Sequence, residues 1–352
     1  MSSLFENEEI RFGNGYPSLI RFFEGDPDKP LVVFFPGWSH LGRISCGFPG
    51  CDEKDFPAHW ISKKGYPFLA VSYPIDHPVY HDLYPEFSIT DWGKMAADIA
   101  GQIILENNLY KNVIGLNWSA SGQVVRPFNA ECRRMGINVL FTLAIEASPA
   151  LEIPIDRRVG IKKTNRNMLS LKDSHYELFW RELELQGCLN GSPILNKKQY
   201  TDYILGDIPV ALLGGNEFFK DGGFIVDISR AFEDKGFFSF TEYSLVAVIS
   251  GNSSLVPYHP IVDRASWAFL NTRKIYHEYV VEAQRNGFRF TDQKLNELVN
   301  CIEGLSQRLS RVTTGNHFLF VGKTGAKKVA DCLEEFEMEV HRIKAYISGI
   351  LS

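Results

Sequence analysis

The chain has 352 residues, 45% of them hydrophobic and 13% aromatic, and a formal net charge of −5. That length and apolar content exclude a chain too polar to bury a core, and fit one large domain carrying an insertion or two ordinary domains. An acidic balance, with an isoelectric point near 6.0, excludes the clustered Lys/Arg surface of a general nucleic-acid binder, so small or uncharged partners are expected. Residues 1–15 hold no basic region followed by an apolar core, and no later stretch supplies the ~20 uninterrupted apolar residues of a membrane span, so a cytoplasmic location is expected. Six cysteines (Cys46, Cys51, Cys132, Cys188, Cys301 and Cys332) show no CxxC spacing, and neither a metal site nor a disulfide framework is expected.

In chain order, Leu31–Phe35, closed by Pro36-Gly37, is the short β-branched and aromatic run of a strand buried on both faces, and residues 67–73 form a similar run. Asp91 is placed to cap a helix in which Trp92, Met95, Ala96, Ile99 and Ile103 share one face. A strand over residues 112–116 leads directly into Asn117-Trp118-Ser119-Ala120-Ser121-Gly122 and a helix over 123–135. Asn138–Ile145 is the next strand. Residues 152–207 mix charge, aromatics and Asn/Gly, which suits a lid inserted over a pocket. Strands are expected again at 208–213 and 244–249, with a helix over 225–232 between them. Amphipathic helices follow at 264–283 and along Leu295, Leu298, Val299, Ile302, Leu305 and Leu309, so that 264–310 forms an additional helical segment. A short edge strand at 311–314 precedes a final helix carrying Val329, Leu333, Phe336, Val340 and Ile343. This alternation predicts a mostly parallel, doubly wound α/β sheet within one domain spanning 1–352.

Serine hydroxyls are poor nucleophiles unless held on a sharp turn within reach of an imidazole. Residues 117–122 provide such a turn, with Ser121 and Gly122 small enough for strand and helix to approach, and with Asn117, a residue that tolerates left-handed backbone, at the upstream position. The blander reading is that Ser119 caps a helix. In its context after an apolar strand and before a helix, the NWSASG string resembles the nucleophile elbow of the α/β-hydrolase superfamily, and Gly315-Asn316-His317-Phe318 resembles the histidine loop of its esterases and thioesterases. The resemblance is strongest over about 30–150 and 309–340. It implies an α/β-hydrolase fold, Ser119 as nucleophile, His317 as general base, and an oxyanion hole from the backbone amides of Ala120 and Trp38, the latter following Gly37.

The orienting acid is less determined, because three carboxylates sit where the resemblance calls for one. Glu217 is the first choice, since Leu213-Gly214-Gly215-Asn216-Glu217 resembles the family's strand-end pattern with Glu for Asp. Asp263 is an alternative near a second such pattern, Gly251-Asn252-Ser253-Ser254, whose last position is Ser. Glu146, directly after the Asn138–Ile145 strand, is the third. His259, flanked by prolines, reads as a loop residue, and His40 as a surface histidine beside the oxyanion loop. The expectation is a serine hydrolase cleaving a small-molecule or carrier-bound ester or thioester through acyl-Ser119, without cofactor. Its rivals are an acyltransferase on the same residues and a hydrolase-fold ligand-binding protein without turnover, favoured by the Ser at 254. Oligomeric state is left open.

Overall fold

The computed structural model describes residues 4–150, 161–236 and 238–352. Ten strands are present among these: β1 Glu8–Gly13, β2 Tyr16–Phe23, β3 Leu31–Phe35, β4 Phe68–Val71, β5 Asn112–Trp118, β6 Asn138–Ile145, β7 Glu217–Lys220, β8 Gly223–Val226, β9 Val246–Ser250 and β10 Ser310–Val312. Eight of them form one sheet in the order β1-β2-β4-β3-β5-β6-β9-β10. The first two ladders are antiparallel, and every pair from β4 onward is parallel.

Alternation along β3 shows why both faces need covering. Val32 and Phe34 enter one core cluster, while Leu31, Val33 and Phe35 enter another on the opposite side. The second face is covered by α2 (Ile89–Glu106), itself preceded by α1 (Pro57–Lys63), and by α3 (Val125–Arg134). The first is closed by α10 (Lys323–Ile350), which buries Val329, Leu333, Phe336, Val340 and Ile343 as the periodicity predicts. Between them run α4 (Leu171–Asn190), α5 (Lys197–Tyr203), α6 (Ile228–Lys235), α7 (Tyr258–Ile275), α8 (Val281–Arg285) and α9 (Asp292–Arg308). A π-turn over Tyr276–Val280 joins α7 to α8. No helix among the described residues is long and apolar enough to cross a membrane, and all six cysteines are free.

Several expectations need correction. The β1–β2 hairpin lies outside the expected strands, although Asn14-Gly15, both left-handed at φ 47° and 82°, is the two-residue turn that matches strand twist. Ser88, not Asp91, caps α2. The Asp91 carboxylate instead accepts from the Ser88 N–H as the reciprocal half of a capping box. Residues 208–213 are not a strand of the sheet. Pro209 has no N–H to donate to a ladder, Val210–Leu213 coils into a 3₁₀ turn, and Gly214 ends it at φ 77°. Residues 223–226 pair as the second arm of a hairpin, so the helix expected from 225 begins only at Ile228, capped by Asp227. The helix expected from Arg264 starts earlier, at Tyr258. Of the segment expected as a lid, 152–160 lies outside the described residues, and the remainder contains α4 and α5.

Parallel pairing of β3, β5, β6, β9 and β10 brings their carboxyl ends to one edge, and the loops that follow them converge there.

Candidate active site

Ser119 is the residue at which β5 turns into a 3₁₀ turn and then α3, and its backbone is left-handed at φ 60°. Such a conformation costs a residue with a Cβ roughly 1–2 kcal/mol, so the surroundings must enforce it. They do so by close approach: a Cβ on Gly122 would lie 2.3 Å from the Ser148 carbonyl oxygen, and one on Gly37 would lie 2.8 Å from the Ser119 Cβ. The Ser121 hydroxyl donates to the Phe35 and Trp118 carbonyls at 3.0 and 2.8 Å. Asn117 serves the turn differently from the expectation. It stays within β5, and its Nδ2 donates to the Ser121 carbonyl at 2.8 Å, bracing the turn from inside.

His317 stands in the loop between β10 and α10, with its Nε2 2.9 Å from the Ser119 Oγ. The loop is held by groups other than the imidazole, among them Asn316, whose Nδ2 donates to the Glu182 carbonyl at 2.6 Å. The Trp118 indole N–H donates to the His317 carbonyl at 2.8 Å, and the Asn252 N–H donates to the Gly315 carbonyl at 3.2 Å. Burial drives the His317 pKa well below the ordinary histidine range, assisted by the positive charge of His259 and opposed by Asp263. A neutral imidazole facing a serine hydroxyl is able to take its proton.

Glu146, the residue directly after β6, is left-handed at φ 45°. Its Oε2 lies 3.8 Å from His317 Nδ1, an atom with no hydrogen-bond partner among the described residues, and its Oε1 accepts from the Gly251 N–H. Burial pushes this carboxyl up to about 7, against the Gly251 hydrogen bond and the His259 charge. Glu217 is placed elsewhere. With 208–213 coiled into a turn, it opens the separate β7–β8 hairpin, where its Oε1 pairs with Lys163 at 2.7 Å. Asp263 is fully buried on α7, where its two oxygens meet the Ser148 hydroxyl at 2.6 Å and His259 Nδ1 at 3.0 Å.

His259 is therefore not a loop residue. It lies in the first turn of α7 with its ring stacked on His317, centroids 4.7 Å apart. Burial alone would lower its pKa, but Asp263, Glu146 and Glu182 together raise it. The His259/Asp263 spacing of four residues on one helix face was the signal that sequence reading passed over. His40 is likewise fully buried, its ring nitrogens on the Trp38 carbonyl at 2.6 Å and the Tyr200 hydroxyl at 2.7 Å, and burial lowers it to about 3. It braces the loop carrying Trp38. The Trp38 indole N–H donates to the Leu212 carbonyl at 2.7 Å, and no acceptor among the described residues takes its backbone N–H.

Ser119, Trp38, Ala120, Ser148 and His259 line a cavity of about 540 Å³, with Leu213 and Val256 among its apolar walls. Glu182 of α4, whose carbonyl accepts from the Asn316 side chain at 2.6 Å, is buried, and burial together with the charge of Glu146 pushes it up to about 7. A carboxyl whose folded pKa exceeds its ordinary 4.5 stabilises the fold below that value and loses the contribution as pH rises through about 7. Glu182→Gln is thus expected to raise the melting temperature near pH 8, by the equivalent of about 1–3 kcal/mol, and to have far less effect near pH 5. Thermal unfolding at the two pH values checks this; an equal effect at both would show that the carboxyl charge is not the cause.

No family model matches the sequence, and no curated protein matches it. Solved structures do. The chain is similar to AqDC, described as cleaving the ring of the Pseudomonas quinolone signal, at 13% identity and a TM-score of 0.50, over 93% of this chain and 99% of that one. It is also similar to the thioesterase domain of the curacin biosynthetic pathway (9% identity, TM-score 0.43, 92% and 98% covered) and to a thermophilic esterase from Thermogutta terrifontis (10%, 0.45, 95% and 99%). Sheet order and likeness together establish the α/β-hydrolase fold. A ring-cleaving neighbour makes plain that the fold does not choose the reaction, which has to be argued from the site.

Proposed function

We propose that the protein is a serine hydrolase that cleaves an ester or thioester through an acyl-Ser119 intermediate. The observation that carries this reading is the 2.9 Å contact between Ser119 Oγ and His317 Nε2 at a left-handed strand-to-helix turn. His317 Nε2 takes the Oγ proton as Oγ bonds to the carbonyl carbon, and the carbonyl π pair moves onto oxygen. The backbone N–H groups of Trp38 and Ala120 stabilise that oxyanion, a role worth roughly 10²–10³ in rate per donor. Collapse breaks the bond to the alkoxide or thiolate, which leaves with the proton from His317. Water, deprotonated in turn by His317, attacks the acyl carbon and releases the acid. Glu146 orients the imidazole and compensates its transient charge. Apolar walls at Leu213 and Val256 suit an apolar portion of the acyl group.

Intact-protein mass spectrometry after exposure to a fluorophosphonate tests this reading. One adduct is expected on the unmutated protein, mapping to Ser119 and lost in Ser119→Ala. A folded protein that stays unlabelled while a control hydrolase reacts fully would replace the hydrolase reading with ligand binding.

A further inference from the structure

A second cavity, of about 270 Å³, opens at the other end of the sheet. It is bordered by the first residues of β6, so the length of that strand, eight residues at ~3.3 Å each, separates it from the Ser119 edge. Its walls are unusually rich in donors. Arg133 of α3, Lys274 of α7 and Lys344 of α10 all line it, and a single carboxylate, Glu278, faces them.

The charges are incompletely matched. Glu278 pairs with Lys274 and lies 3.7 Å from Arg133, whereas the polar partner of Lys344 is the Leu140 carbonyl, at 2.8 Å. Two uncharged groups on the same wall lack partners altogether among the described residues. Asn129, 5% exposed, has neither amide atom hydrogen-bonded, and Tyr243, 2% exposed, has a free hydroxyl. Leaving such buried groups unsatisfied costs the hydration each lost on folding, which a bound ligand would recover. Glu278 itself sits in the π-turn Tyr276–Val280, a helix irregularity frequent at functional positions.

We propose that this cavity is a binding site for a small phosphate monoester. Lys344, Lys274 and Arg133 would hold the phosphate oxygens, joined by the donors of Asn129 Nδ2 and the Tyr243 hydroxyl. The Asn129 Oδ1 requires a donor in return, which a hydroxyl on the ester's carbon skeleton supplies. The volume is about nine times the ~30 Å³ share of a water molecule, enough for a phosphate with a short polyol attached. Electrostatics agree with the geometry: burial lowers both lysines, Arg133 adds to this at Lys274 and Lys274 adds to it at Lys344, with Glu278 opposing in each case. A bound dianion removes that mutual repulsion.

Calorimetric titration of the full-length protein with inorganic phosphate and with glycerol 3-phosphate, at ionic strength fixed with chloride, is the test. Saturable binding of either is expected, and tighter binding of glycerol 3-phosphate would identify the ester as the preferred form. Lys344→Gln, at a half-buried position, and Arg133→Gln, at an exposed one, should each weaken binding by about tenfold, equivalent to ~1.4 kcal/mol. Absence of binding by both compounds, or undiminished affinity in both variants, would overturn the proposal.

Discussion

Replacing His317 by glutamine is expected to slow fluorophosphonate capture at Ser119 by about 10²–10⁴-fold, the range contributed by a positioned general base. Glutamine is chosen because the bonds fixing the loop do not involve the imidazole: the His317 carbonyl keeps the Trp118 indole, the Gly315 carbonyl keeps the Asn252 N–H, and the Asn316 Nδ2 keeps the Glu182 carbonyl. The loop should therefore persist while the imidazole is lost. Rates of adduct growth, read alongside the melting temperature, separate lost chemistry from lost structure. A variant that is folded and labelled as fast as the unmutated protein would remove His317 from the mechanism.

Exchanging the acids produces the second large effect. Glu146→Gln is expected to lower the labelling rate by about 10²–10⁴, as when a triad carboxylate is neutralised, whereas Glu217→Gln should leave it within about twofold, since that side chain is engaged by Lys163 in the β7–β8 hairpin. The pH profile supplies an independent readout. His317 is held neutral well below its ordinary range, so the acid side of the profile follows Glu146, which is ionised only above about 7. Activity should fall as pH drops through that value, and in Glu146→Gln the fall should disappear, leaving a low, flat rate. The reverse ranking of the two variants would make Glu217 the orienting acid.

The parts of this architecture governed by local pattern were readable in the chain. Leu31–Phe35, Asn138–Ile145 and the final helix are apolar runs whose period alone identifies them, and the turn at Ser119 is marked by the small residues that close approach demands. What escaped was either a local breaker inside an apolar run or a position decided by distant contacts. Pro209 turned an apolar run that resembles a strand into a 3₁₀ turn, and Glu217 left the sheet edge with it. Glu146, by contrast, carries no local mark beyond following a strand; its place near His317 depends on β6 pairing beside β5. His40 read as a surface group because nothing nearby in sequence announces Tyr200, 160 residues away, as its partner.

Two neighbouring strands, β5 and β6, are each followed directly by a residue that is left-handed yet carries a side chain, Ser119 and Glu146. Each conformation is costly in an isolated chain, and neither persists without the packing around it. The work of aiming both side chains is consequently done once, when the sheet assembles, and does not recur with each molecule bound. On the proposed mechanism an arriving substrate meets groups already pointed at it, and its binding energy is left for contacts made only as the reaction proceeds. The same arrangement ties the site to the global fold: loosening the β5–β6 register should release both residues together, so loss of function on heating should coincide with melting of the sheet's centre instead of preceding it.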